Sequence, residues 1–178
     1  MLLARQRPQN SSVLTNTELR SVGQTIGQMK RIASQYRHDM DGFLGMCPAK
    51  FFYFAKKLPY VEDNAAAASF VGAGYVEPDK DGYEFVQRPA FTLQRGGDCD
   101  DRSVMAAAYM YIQGVPWKFV TVAQKPYEWD HVYLKIFART DGIPNGAWLP
   151  YDITISKLEL FQEEIPKEYQ KLPWYKEW

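Results

Sequence analysis

The sequence has little cysteine, little histidine and no net charge. It contains two cysteines and two histidines among 178 residues, and 21 Lys and Arg residues balance 21 Asp and Glu residues. Two cysteines do not make the disulfide framework of a small secreted protein, so a reducing compartment is the simpler interpretation. A balanced charge supplies no basic surplus for phosphates, which argues against a nucleic-acid partner.

Long apolar runs are also missing. None approaches the ~18 residues needed to span a bilayer, and the N-terminal MLLARQRPQNSS is charged and polar where a signal peptide would be apolar. We therefore expect a cytoplasmic protein with no membrane partner. The composition is otherwise globular, with 46% hydrophobic and 15% aromatic residues, and the length suits one domain with one core.

The chain divides into three parts by composition. Residues 1–14 are polar and include Pro8, which predicts a flexible N-terminal arm. Residues 15–165 predict a single domain, and residues 166–178 form an aromatic C-terminal tail. The arm and the tail are the segments that would dock other proteins if the chain belongs to an assembly.

Apolar spacing predicts helices early in the chain and strands late. A capping box at Thr15 and Glu18 begins a first helix, and Pro48 begins a second. A third helix is apolar nearly all round and stops at Gly114, which is typical of a buried helix with a glycine cap. The remaining predictions are mostly loop over 59–90 with a short strand at 83–87, strands at 117–123, 131–138 and 147–155, and a short helix after Ser156. A buried helix followed by a short antiparallel sheet is an α+β arrangement.

Three residues with useful chemistry lie on successive elements. Cys99 begins the buried helix, His131 begins a strand, and Asp152 lies on the next strand. This is the order of a nucleophile, a base and a residue that orients the base, provided that the strands pack against the start of the helix.

The segments GGDCDDRSVMAAAYMYIQGVPWKFVTV, WDHVYLKIF and GAWLPYDITI resemble the core of the transglutaminase-like superfamily, a branch of the papain-like cysteine enzymes. The resemblance covers residues 84–155 and implies a buried helix carrying the cysteine, packed on a short antiparallel sheet carrying the histidine and the aspartate. It implies Cys99 as nucleophile, His131 as base and Asp152 as the residue that holds the imidazole, with no cofactor. The family often has proline after this aspartate, whereas Ile153 follows here.

The same resemblance implies a cysteine-dependent acyl-transfer enzyme that acts on protein or peptide amide bonds through a thioester. Resolution by water would make it a peptidase or amidase, and resolution by a primary amine would make it a transglutaminase. The alternative is a non-catalytic structural or interaction component of a phage or other assembly, because compact Gly-Asp-Cys-Asp-Asp domains resemble phage and prophage proteins. On that alternative the chain would be incorporated in a phage particle.

An acyl-transfer site also needs donors for the developing oxyanion. The backbone N–H of Cys99 at a helix start is a natural first donor. Gln94, five residues upstream, is the favoured second donor, and the indole N–H groups of Trp129 and Trp117 are the alternatives.

Acidic residues surround the predicted nucleophile. Asp98 suits the N-cap position, and Asp100 and Asp101 fall in the first turn, where acids stabilise a helix. They also oppose a thiolate, and the helix dipole offsets this by only about 0.3 to 1 kcal/mol. A protonated His131 at about 4 Å would contribute roughly 4 kcal/mol, so we expect it to activate Cys99. Solvent exposure of Asp100 and Asp101 would weaken their opposition further.

The other candidate residues predict no chemistry. Asp98, Asp100, Asp101 and Asp130 lack the alternating spacing of a calcium loop, and two cysteines with two histidines do not favour zinc, so no metal is expected. Cys47 lies among apolar neighbours and predicts a core position. His38 ends the first helix, where a cation suits the dipole.

Overall fold

A computed structural model of the chain describes residues 12–14, 22–62, 84–123, 130–165, 170 and 175–178. The α-helices are α1 (Val22–Gln35), α2 (Pro48–Ala55), α3 (Pro89–Arg95) and α4 (Cys99–Gln113), and a 3₁₀ helix spans Arg37–Phe43. The strands are β1 (Ser12–Leu14), β2 (Glu84–Val86), β3 (Trp117–Val122), β4 (His131–Thr140), β5 (Ile143–Tyr151) and β6 (Tyr175–Glu177). The predicted α+β class is confirmed.

Four strands form one antiparallel sheet in the order β5-β4-β3-β6, while β1 and β2 pair separately. In the β4–β5 ladder, Leu134 lies opposite Tyr151. Because the two strands are antiparallel, the residue after β5, Asp152, lies beside the start of β4, where His131 is placed. The register of one strand pair therefore brings two of the predicted site residues to the same end of the sheet.

Helix α4 is the centre of the core. Every residue from Asp100 to Met110 is buried, and the Phe51 ring of α2 stacks on Tyr109 with a centroid separation of 3.9 Å. The carboxylate of Asp98 caps the helix start, and Gly114 closes it in the left-handed conformation with φ 67°. The predictions of a buried helix, its cap and its glycine terminus are confirmed.

Several predicted element boundaries are wrong. The last predicted strand, 147–155, instead ends at Tyr151, because the Asp152 side chain accepts the Thr154 N–H and turns the chain. Where a short helix was predicted after Ser156, the described residues 157–165 form turns, bends and irregular segments, and Phe161 has a left-handed φ of 68° that a helix does not allow.

The N-terminal predictions lie mostly outside the described residues. The structure describes the first helix from Val22 onward, so the capping box at Thr15 lies outside the described ranges. Within the predicted arm, β1 pairs with β2 in an antiparallel ladder. Helix α3 was not predicted: the predicted loop over 59–90 ends in its first turn, and no element was predicted for residues 91–95.

The described part of the C-terminal tail contacts the sheet. Strand β6 pairs with β3, and the Trp178 indole donates a hydrogen bond to Thr121 Oγ1 at 2.9 Å. Among the described ranges, no helix is both long enough and apolar enough to cross a membrane.

Candidate functional site

The structure brings Cys99, His131 and Asp152 together where the sheet end meets the start of α4. His131 Nε2 lies 2.8 Å from Asp152 Oδ2, and the Cys99 side chain is near enough to the same imidazole to raise its pKa. Helix α4 is tied to β4 next to this point, since the Ser103 hydroxyl donates to the Val132 carbonyl at 3.0 Å. The three predicted residues therefore form one cluster.

Asp152 is held as a carboxylate. Its side chain is buried, and its Oδ1 accepts the backbone N–H of Thr154 at 2.9 Å and the Thr154 hydroxyl. Burial alone would raise the pKa of Asp152, but the hydrogen bond and charge of His131, with the bonds from Thr154, outweigh burial and lower it. The ionised form is the one that can orient and stabilise an imidazolium.

His131 is stabilised in its charged form. Burial works against the charge, but the hydrogen bond with Asp152, the interaction with Cys99 and the charges of both partners raise the pKa of His131 to about 10. The imidazole also stacks on the Tyr133 ring at a centroid separation of 5.8 Å. Because Nε2 faces Asp152, a proton exchange with the thiol would use the other ring nitrogen, Nδ1.

Cys99 is a free, half-buried cysteine and the first residue of α4. Its acidic neighbours Asp100 and Asp101 are buried, with 3% and 0% exposure, so solvent does not screen their charges. Asp101 instead accepts the backbone N–H of Gln87 at 2.6 Å, and the side-chain amide of Gln87 also donates to it. Both acids are therefore packed inside the protein at the N-terminus of α4.

Burial changes the charge that the helix start presents to the thiol. Burial raises the pKa of Asp100 well above its usual range, and a hydrogen bond with Asp98 and the charge of Asp101 raise it further. Among the described residues, Asp100 Oδ2 is buried without any hydrogen-bond partner, which disfavours the charged form of this carboxyl. Less negative charge faces Cys99 than its three acidic neighbours would carry in solvent.

The same acids are the residues most suited to hold a cation. Carboxylate oxygens of Asp98, Asp100 and Asp101 all lie within 4.8 Å of one another. The Asp101 carboxylate, however, already accepts a hydrogen bond from Gln87. The backbone N–H of Asp101 donates to Asp100 Oδ1 at 2.7 Å. Asp130 is exposed beside β4 and does not join the cluster. These contacts fit helix capping, and we assign the cluster no metal.

The second oxyanion donor stays a prediction. Gln94 lies on the exposed side of the last turn of α3, and Trp129 lies outside the described residues. The Trp117 ring packs edge-on against Phe119 at 5.1 Å and Tyr111 at 5.9 Å.

Thr154 and Tyr60 lie near the site and were missed by sequence reasoning. Thr154 holds Asp152, and the Asp-x-Thr spacing of an Asx turn was a signal that could have found it. Tyr60 is half-exposed and its backbone bridges to Gly97, two residues before the cysteine. Burial raises the pKa of Tyr60 to about 12, and the negative charges of Cys99 and Asp98 contribute.

The other cysteine and histidine lie elsewhere. The prediction that Cys47 is a core residue is wrong, because Cys47 is exposed at the N-cap of α2, before the first turn of the helix. His38 is exposed and its Nδ1 lies 3.3 Å from Asp41 Oδ1.

No protein-family model, curated protein or solved structure matches this chain. The resemblance to the transglutaminase-like superfamily therefore rests on the sequence motifs alone, and the functional argument rests on the geometry of the cluster.

Proposed function

We propose that the chain is a cysteine-dependent acyl-transfer enzyme that acts on protein or peptide amide bonds, with a papain-related, transglutaminase-like fold. The observation that carries this proposal is the 2.8 Å contact between His131 and Asp152, with Cys99 at a helix start beside the same imidazole, whose pKa it raises. The nucleophile then lies beside the base, and the base lies beside the carboxylate that orients it, as covalent catalysis requires.

In the first half-reaction, the Cys99 thiolate attacks the amide carbonyl carbon and forms a tetrahedral intermediate. The negative charge on its oxygen is stabilised by the backbone N–H of Cys99 at the N-terminus of α4. The intermediate collapses as the C–N bond breaks, and the leaving amine takes the proton of the His131 imidazolium. The products are a free amine, a neutral imidazole and an acyl thioester on Cys99.

In the second half-reaction, the neutral imidazole removes a proton from the attacking group. Attack by water gives a carboxylic acid, and attack by a primary amine gives a new amide. In both cases the C–S bond breaks and the Cys99 thiolate and His131 imidazolium are restored, so no cofactor is consumed. Asp152 stabilises the imidazolium at the two stages where it exists.

The reactivity of Cys99 tests the proposal. Cys47 is also free and exposed, so the measurements use a Cys47→Ser parent, in which serine is a favourable N-cap for α2. We expect iodoacetamide to alkylate this parent at pH 6 at least about tenfold faster than the same protein carrying His131→Ala, because a nearby imidazolium stabilises the thiolate by roughly 4 kcal/mol.

A matched variant distinguishes the specific effect of the His131 imidazole on the alkylation rate from the general effect of removing a histidine. His38→Ala removes the other histidine, which is exposed beside Asp41, and should leave the alkylation rate unchanged. Equal, slow alkylation in the parent and in the His131→Ala variant would remove the basis for catalysis. The alternative of a non-catalytic component of a phage or other assembly would then be the better proposal.

A further inference from the structure

Arg102 is a buried cation in the first turns of α4, only 2% exposed. Burial lowers the pKa of Arg102, and the charges of Tyr60, Asp152 and Asp98 act in the opposite direction. Removing a guanidinium from water is costly unless its donors are satisfied. The question is therefore what this side chain binds.

Its guanidinium donates to three backbone carbonyls on three separate segments. Nε donates to Gly97 at 3.1 Å, Nη1 donates to Ile153 at 2.9 Å, and Nη2 donates to Leu58. A planar guanidinium with five N–H donors in fixed directions can hold three carbonyls in one arrangement, whereas a lysine ammonium cannot reproduce it.

The positions of these carbonyls relate Arg102 to the candidate site. Gly97 lies two residues before Cys99, and Ile153 directly follows Asp152. Leu58, which supplies the third carbonyl, is followed by Pro59. The Pro59 carbonyl accepts the backbone N–H of Gly97 at 3.3 Å, so this segment also pairs with the chain that leads to Cys99. One side chain thus joins the backbone on the cysteine side to the backbone on the aspartate side.

From these contacts we infer that Arg102 is a positioning residue that sets the distance between Asp152 and His131 and the approach of Cys99 to that pair. The inference rests on the proposed function for its catalytic meaning, but the alignment that it describes exists whether or not the chain is an enzyme. Arg102 touches neither substrate nor the reacting atoms in this role. It acts through the two backbone segments that carry them.

The test follows the titration of His131 by NMR of its ring nitrogens, in the Cys47→Ser parent and with Arg102→Lys added. The sequence has two histidines, so His38 provides an internal reference signal. Because the high pKa of His131 depends on its close contact with Asp152, we expect Arg102→Lys to lower the titration midpoint by at least about one pH unit. The alkylation rate at pH 6 should fall at least about fivefold with it.

Tyr109→Phe is the matched control. It lies farther along α4 and also loses a hydrogen bond to a backbone carbonyl, that of Met46, which belongs to neither segment of the site. We expect it to leave the His131 midpoint unchanged. If Arg102→Lys does not fold, the same titration is measured on Arg102→Gln, whose side-chain amide keeps two of the donors.

The outcomes separate this inference from the proposed function. An unchanged His131 midpoint in the folded Arg102 variant overturns the positioning role, whatever the alkylation results. A lowered midpoint supports that role even if the parent shows no alkylation that depends on His131, which is the failure of the proposed function. A midpoint that falls equally in Tyr109→Phe also overturns the role, since general loosening of the helix would then explain the effect.

Discussion

Replacing Asp152 with asparagine removes one charge from the buried pair and keeps the size of the side chain. The amide oxygen can still accept the N–H of Thr154, which Asp152 binds at 2.9 Å. What is lost is the stabilisation of the His131 imidazolium across the 2.8 Å contact. The cost of Asp152→Asn should therefore depend on whether His131 is charged.

The magnitude follows from the pKa of His131, which is raised from the usual 6.5 to about 10. At ~1.4 kcal/mol for each pH unit, the folded state gains on the order of 5 kcal/mol from the charged imidazole. Asp152 and Cys99 share this gain, and we assign about 3 kcal/mol to Asp152, in line with about 3 to 5 kcal/mol for breaking a buried pair.

The pH window follows from the sign of each shift. The pKa of His131 is higher in the folded state than in the unfolded state, so its stabilisation is complete below about pH 6.5 and is lost as the pH rises to about 10. The pKa of Asp152 is lowered by folding, so its contribution persists above its usual 3.8. The difference in unfolding free energy between wild type and Asp152→Asn should be about 3 kcal/mol at pH 6 and small at pH 10.

Urea unfolding at pH 6 and pH 10, followed by circular dichroism, measures this difference. Asp41→Asn is the matched control, because Asp41 contacts the exposed His38 at 3.3 Å and such exposed pairs contribute little. A cost of Asp152→Asn that is equal at the two pH values would refute the reasoning, since the loss would then come from a hydrogen bond and not from a charge.

Three further substitutions test the packing beneath the site. Asp100→Asn should raise the urea midpoint at pH 7 but not at pH 4, because burial raises the pKa of Asp100 and ionisation above the usual 3.8 penalises the folded state; an equal or lower midpoint at pH 7 would contradict this. Gly96→Ala should cost about 2 kcal/mol or more in unfolding free energy, since Gly96 has φ 84° and an added Cβ would lie 2.0 Å from the Pro59 carbonyl oxygen. Gly42→Ala, with nothing within 4 Å of its added Cβ, is its control and should unfold at nearly the wild-type urea concentration. Phe51→Ala should cost about 3 to 5 kcal/mol by leaving a cavity in the core, and a loss below 1 kcal/mol, within the range of surface changes, would argue against its buried position.

Local rules made part of the site predictable. A cap residue, acids in the first turn and a long apolar run placed Cys99 at a helix start, because these signals act over a few neighbouring positions. The roles of His131 and Asp152 were suggested by residue type and order, and their proximity depends on the β4–β5 register. Their catalytic roles stay predictions.

Arg102 could not be identified in the same way. Its partners are backbone carbonyls, and every residue has one, so the sequence carries no mark of which carbonyls will face a guanidinium. An arginine at this position of a helix is also an ordinary surface residue by composition. Only the packed structure reveals that Gly97 and Ile153 converge on it.

The fold was predictable where one pattern extended over many residues. Helix α4 has fifteen residues and β4 has ten, and both were found. Helix α3 has seven residues, too few for a helical period to emerge, and it was missed. The end of β5 was misplaced because the Asp152 side chain turns the chain, and that bond outweighs the β propensity of the residues that follow.

Acidic residues beside a cysteine have different effects according to their burial. Asp98 caps α4 and Asp101 holds Gln87, so both contribute hydrogen bonds at a helix start that favours acids. Asp100, fully packed against them, is favoured as the neutral acid because burial and its two neighbours raise its pKa. The helix start thus keeps its capping bonds while the thiol faces less negative charge, and Asp152 places its own charge on the far side of the His131 imidazole, where it stabilises the cation instead of opposing the thiolate.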